Sequence, residues 1–411
     1  MYNTVFYLII GIILFNYLLE RFLDYLNMKR MGTSLPEEVK DVYDEEQYKK
    51  SQLYKKVNDN FSIITSTFSL VVILLMFFLG GFRLVDDIAR QWTSQPILVT
   101  LLFFGILMFA SDIINIPFSV YDTFVIEEKF GFNKTTPKTF ILDKLKGWLL
   151  AIIIGGGMLS LVMWFYEKTT DMFWIYAWAA VSIFMVFMAM FYSTLIVPLF
   201  NKQTPLKEGE LRDAIEKFSD QAGFRLDNIY VIDGSKRSTK ANAYFSGLGS
   251  KKRIVLFDTL IQDLSINEIV AVLAHEIGHY KKKHTLIGII TGIIQTGITL
   301  YIFSLFVNSP QLSIALGAGN PSFHMGLIAF GILYSPISLI TGLIMNIFSR
   351  KNEYAADGFA RNFHFEDELI SALKKLSSKS LSNLTPHPAF VFFHYSHPPL
   401  LQRIRALKHK A

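Results

Sequence analysis

The chain has 411 residues, 51% hydrophobic and 15% aromatic, with 18% charged, a formal net charge of +6 and a mean hydropathy of +0.35. That balance excludes an ordinary soluble globular protein and points to a chain that crosses a membrane several times. The absence of cysteine excludes disulfide frameworks, thiolate catalysis and Cys-based metal sites, so any chemistry must use His, Asp, Glu or hydroxyl groups.

In chain order, seven apolar runs are long enough to cross about 30 Å of hydrocarbon as helices. They are 3–19, 61–82, 97–116, 147–166, 174–198, 285–308 and 324–348. Met1 to Asn3 carry no positive charge and no small-residue cleavage site follows the first run, which therefore reads as a retained anchor. None of the 40 Lys and Arg residues lies within the runs, and the connections after them hold 8, 2, 5, 1, 14, 0 and 10 in turn. This alternation places the N-terminus outside, and the first, third and fifth connections and the C-terminus in the cytoplasm. The basic residues then face anionic headgroups, and no nucleic-acid partner is needed to explain them.

The organisation expected is a membrane part, 1–198, holding the first five helices; a cytoplasmic part, 199–284; helices six and seven within 285–348; and a cytoplasmic C-terminal part, 349–411. In the first cytoplasmic part, "EGELRDAIEKFSDQAGF" predicts an amphipathic helix with Leu211, Ile215 and Phe218 on one side and Gly223 as its stop. "NIYVID", "ANAYFSGLG" and "RIVLFDTL" are short β-rich runs that predict a small sheet. Ser265 and Glu268 form a capping-box signature, and the helix that they start is expected to run through "IVAVLAHEIGHYKKKH" into the sixth span.

That helix carries H-E-x-x-H as His275, Glu276 and His279. Residues four apart share a helix face, so both imidazoles can bind one Zn²⁺, while Glu276 can take a proton from an attacking water and later return it. Catalytic zinc keeps three protein ligands and an open position. The third ligand is expected in "FSRKNEYAADGFA", just past the seventh span: Glu353 as ligand and, one turn on, Asp357 as acceptor for a histidine N–H. A short loop without basic residues joins spans six and seven, which brings both helices back to one membrane face.

"HEIGH" with "NEYAADGFA" resembles the gluzincin pattern of integral-membrane zinc proteases, and "HYSHPPLLQRIRALK" is similar to the tail of the CAAX prenyl protease 1 family. "EEKFGFNKTTPKTFILD", "PLFNKQTPL" and "KANAYFSGLG" also resemble that family, so the likeness runs from about residue 100 to the end. It implies a mainly α polytopic membrane protein, seven helices around a water-filled chamber, with a small α+β zinc-protease cap on the cytoplasmic side. Within it, Asp112 and Asn115 in the third span either line the chamber or make local hydrogen bonds. The resemblance also implies that Asn242, Ala243 and Tyr244 form a substrate-aligning edge strand. It implies that His397 stabilises the oxyanion, with His387 and His394 as competing candidates. Arg403 would hold substrate or the site's own carboxylates. His284, His324 and His364 are read as structural.

The activity implied is a zinc metalloendopeptidase, one Zn²⁺ per chain, that cuts extended or C-terminal CAAX-like segments, prenylated or not. Its partners would be a peptide or protein substrate and the lipid bilayer, with no oligomer required. The membrane would be the inner one in a bacterium and the endoplasmic reticulum in a eukaryote. The rivals are an HtpX-like quality-control protease, which has fewer spans and a shorter chain, and a zinc-binding transporter or scaffold, which would not need Glu276.

Overall fold

The computed structural model describes residues 3–224, 228–247, 252–318 and 321–408. Helix α1 (Thr4–Lys29) starts where the Asn3 side chain accepts from the Phe6 N–H, and it continues past residue 19 because nothing in the next turns breaks a helix. Helix α2 (Glu45–Phe78) is capped by Asp44, begins well before its apolar part, and ends where Gly80 takes a left-handed conformation ahead of the short α3 (Gly81–Trp92). Then follow α4 (Pro96–Tyr121), α5 (Pro137–Leu150), α6 (Gly157–Thr169) and α7 (Phe173–Leu195).

By length and composition, six helical stretches of the described residues can cross a membrane, where seven were expected. The difference lies in Pro137–Phe200, a single stretch of 64 residues that contains both the fourth and the fifth expected runs. It is not one straight rod. Thr170 has φ +45° and opens a 3₁₀ turn over Thr170–Met172, after which α7 packs beside α6. Residues with Cβ branching rarely hold positive φ, so this is a sharp reversal of the chain.

Helix α8 (Glu210–Gln221) buries Ile215 and Phe218, and Gly223 follows at φ +59°. Four strands, β1 (Gln203–Pro205), β2 (Ile229–Ile232), β3 (Ala243–Ser246) and β4 (Arg253–Phe257), form one sheet in the order β1-β2-β4-β3. The β2–β4 pair is parallel and the other two pairs are antiparallel, which leaves β3 at an edge. Leu248 and Gly249, the end of the "KANAYFSGLG" run, lie outside the described residues.

Helix α9 (Ile266–Lys281) begins with the expected capping box between Ser265 and Glu268. It does not run on into the sixth span, in contrast to the continuous helix expected from its sequence. The chain turns at Lys283, φ +60°, and α10 (His284–Phe306) starts afresh. Helix α11 (Phe323–Arg361) then runs for 39 residues, about 58 Å at 1.5 Å per residue, so its final turns stand clear of a bilayer about 30 Å thick. The short helices α12 (Glu366–Lys379), α13 (Pro388–His394) and α14 (Leu400–Lys408) complete the chain.

Two apolar clusters result. One packs the sheet, α8, α9, α12 and α14 together through Ile215, Leu256, Leu273, Ile277, Ala372 and Ile404. The other joins the far ends of the membrane helices through aromatic rings, among them Phe6, Phe103, Phe173, Phe303 and Phe323. Between the clusters, large apolar residues such as Ile64, Ile153, Ile183 and Ile340 remain exposed on the helices, the surface that hydrocarbon would cover. The chain is a polytopic membrane protein with a small α+β unit at one face.

Candidate active site

The site forms where α9 crosses the emergent end of α11. Gly278 permits that crossing: a Cβ there would stand 3.1 Å from the Ala356 backbone and 3.0 Å from Phe359 Cβ. The close approach sets the His275 and His279 face of α9 against Glu353 and Asp357. His275 Nε2 lies 3.1 Å from His279 Nε2 and 3.5 Å from Glu353 Oε2, and His279 Nε2 lies 3.2 Å from Glu353 Oε1. Atoms bound tetrahedrally at 2.0–2.1 Å from one ion sit about 3.3 Å apart, so these three side chains have the spacing of a ligand set.

The donor chemistry fits as well. Glu353 Oε2 is buried with no hydrogen-bond partner, which is costly unless something positive meets it. His275 Nδ1 lies 2.8 Å from Asp357 Oδ1, and Asp357 is only 1% exposed. If Nδ1 carries the proton, Nε2 is left as a lone pair aimed at the shared point. Burial pulls the His275 imidazolium down, yet the Asp357 and Glu353 carboxylates beside it lift it to about 9. The site therefore favours positive charge there, whether a proton or a metal ion.

Arg403, from α14, reaches Asp357 through Nε at 2.9 Å and Nη2 at 2.5 Å, and its Nη1 is 3.7 Å from Glu353 Oε2. Of the two roles weighed for Arg403, these contacts suit holding the site's own carboxylates. His397 Nε2 is 3.3 Å from Glu353 Oε1, and its side chain is 65% exposed. Its rivals are engaged elsewhere: His387 caps α13 by accepting from the Ala389 N–H, and His394 lies 3.4 Å from Glu20.

Glu276, His275, His279, Glu353, Asn242 and Ala243 line one cavity of about 960 Å³. Burial pushes the Glu276 carboxyl above its ordinary value, with His275 and His279 pulling the other way, an environment suited to a proton acceptor. Along β3, alternation turns Tyr244 away from this cavity: its Oη lies 3.3 Å from Ser193 Oγ on α7. Asp112 accepts from Lys144 and Trp148, and Asn115 donates to the Ser111 carbonyl, so both are satisfied locally. His284, expected to be structural, lines the cavity with its Nδ1 3.0 Å from His279 Nδ1. Its spacing of five from His279 gave no helical signal.

A helix bearing H-E-x-x-H, a carboxylate from the far end of a membrane-length helix and an edge strand beside them define a membrane-embedded metalloprotease. A family model described as the CAAX prenyl protease N-terminal region, five membrane helices, matches residues 24–202, and that of peptidase family M48 matches residues 205–411. A CAAX prenyl protease 1 homolog of Dictyostelium discoideum is 38% identical, the match covering 97% of this chain and 96% of the relative. The CAAX prenyl protease 1 of Saccharomyces cerevisiae is 36% identical over 94% and 92%. A crystal structure of Ste24p from S. mikatae superposes with a TM-score of 0.95 at 33% identity, covering 100% of both chains. The chain belongs to the CAAX prenyl protease 1 family of M48 metallopeptidases.

Proposed function

We propose that the chain is a zinc metalloendopeptidase that hydrolyses a peptide bond near the C-terminus of CAAX-like, lipidated segments delivered at the membrane. The observation that carries this is the convergence of His275 Nε2, His279 Nε2 and a Glu353 carboxylate oxygen to 3.1–3.5 Å, with Glu276 in the same cavity. The preference for a lipidated C-terminal segment rests on the relatives' names.

His275, His279 and Glu353 hold the ion, one per chain, and Asp357 with Arg403 fixes the His275 ring. When bound, zinc lowers the pKa of a water and polarises a carbonyl. Glu276 takes a proton from the water as its oxygen attacks the carbonyl carbon, and delivers it to the amine nitrogen as the C–N bond breaks. His397 donates to the oxygen on which negative charge develops. The edge at Asn242, Ala243 and Tyr244 aligns the extended segment through backbone hydrogen bonds.

The basic-residue alternation supports a cytoplasmic site with the N-terminus outside. In a bacterium the membrane is the inner one, and in a eukaryote the endoplasmic reticulum. The parts 199–284 and 349–411 act together as one cap across the helices of 1–198 and 285–348. A monomer suffices, since every proposed ligand comes from one chain. The test is a quenched peptide ending in a CAAX sequence, with and without a farnesyl group on its cysteine, incubated with purified protein. Cleavage that a chelator abolishes and Zn²⁺ restores supports the reading, and equal cleavage in chelator overturns it. Equal rates on both peptides would remove the lipid preference alone.

A further inference from the structure

The turn between α9 and α10 is unusual in its residue. Lys283 holds a left-handed conformation that is strained for a non-glycine residue, and such strain persists where the surroundings require the geometry. On an uninterrupted helix His284 would stand five residues past His279, roughly 140° around the axis, with its ring directed away. The turn at Lys283 brings the two rings together instead, with Nδ1 to Nδ1 at 3.0 Å and centroids 5.0 Å apart. His279 meanwhile directs its other nitrogen, Nε2, at His275 and Glu353.

We propose that His284 is a positioning residue for the metal site: it accepts the Nδ1–H of His279 and so holds His279 in the tautomer whose Nε2 lone pair faces the ion. This rests on the reading that His279 is a metal ligand. Two ring nitrogens 3.0 Å apart share one proton. Placing it on His279 Nδ1 leaves His284 with its own proton on Nε2. The paired histidines are thus oriented unequally. His275 is held by a carboxylate, Asp357, whose charge Arg403 offsets, while His279 is held by a neutral ring. Beside Glu353 and Glu276, a neutral acceptor orients the second ligand without adding a further buried negative charge.

The test uses the full chain in detergent with Zn²⁺ or Co²⁺ alone. His284→Phe removes the acceptor, and His284→Asn keeps an oxygen near the Nδ1 position. The expected result is a 10–100-fold loss of Zn²⁺ retention against a chelator in His284→Phe, with most of it recovered in His284→Asn. The visible bands of the Co²⁺ form should shift in His284→Phe, while its melting temperature in chelator stays that of the parent. Parental Zn²⁺ affinity in His284→Phe, no recovery in His284→Asn, or a lowered melting temperature in chelator would each overturn the proposal. A parent chain that retains no Zn²⁺ would overturn the metal reading instead, so the two failures are distinct.

Discussion

Near its first turn α11 sets His324 between Asp86 and Thr100, and near its last turns it sets Asp357 between His275 and Arg403. The two clusters share their ingredients. His324 Nε2 is 2.8 Å from Asp86 Oδ1 and His275 Nδ1 is 2.8 Å from Asp357 Oδ1; each carboxylate is also held by an arginine, Arg90 or Arg403. They differ in the second ring nitrogen. His324 Nδ1 lies 3.3 Å from the Thr100 hydroxyl, under the ring of Phe103, and so both nitrogens have a partner that ties helices together. His275 Nε2 instead lies 3.1 Å from His279 Nε2 and 3.5 Å from Glu353 Oε2, the spacing of a ligand set. A buried His–Asp pair held by an arginine is therefore no mark of a site on its own. Convergence of lone pairs on one point is what separates the chemical end of the helix from its structural end.

That contrast can be broken from the chemical side first. Glu276→Gln should keep the metal while kcat on a quenched peptide falls by about 10²–10⁴, the range for loss of a general base; metal content and turnover measured on one preparation decide it. Asp357→Asn should weaken metal retention about 10–100-fold, because His275 then faces a neutral amide in place of the charged carboxylate that orients it, and a chelator titration reads this. At the structural end, Asp86→Asn should leave chelator titration unchanged and cost about 1–3 kcal/mol in thermal unfolding, as His324 and Arg90 lose a charged partner. Equal effects of Asp86→Asn and Asp357→Asn on metal retention would erase the distinction.

The smallest effect concerns Glu268, at the start of α9 and away from both clusters. Burial would raise its carboxyl, but hydrogen bonds from Lys375, Ser371 and Ser265 hold it at about 2, below the ordinary 4.5. A carboxyl lowered by folding contributes stability that is complete above its unfolded value and is lost as pH falls through the folded one. Unfolding in detergent should therefore weaken between pH 4.5 and about 2, and Glu268→Gln should flatten that part of the curve.

The parts legible in the sequence are those set by short-range rules. Helix periodicity put His275 and His279 on one face, and the Ser265–Glu268 box marked where their helix begins. Glu353 was reachable because spans six and seven had to return to one face, a constraint of bilayer thickness rather than of contacts. His284 was missed because its position depends on a left-handed lysine, and lysine carries no signal for that conformation as glycine would. The partnership of Asp86 with His324 spans 238 residues and was likewise unreadable. The reversal at Thr170, by contrast, falls in the connection 167–173 expected between the fourth and fifth runs, where Glu167, Lys168 and Asp171 interrupt the apolar pattern.

Composition and local periodicity determined by themselves that this chain crosses a membrane, that one helix presents two imidazoles and a carboxylate, and that a small sheet accompanies it. They suffice because helix pitch and the absence of water in hydrocarbon act within a few turns of chain. Tertiary structure decided which nitrogen of each histidine faces the shared point, that Arg403 from α14 and His397 from the loop before it both come to Glu353, and that Tyr244 faces α7. Those outcomes depend on packing between segments far apart in sequence, where a displacement of one ångström exchanges a ligand for a strut.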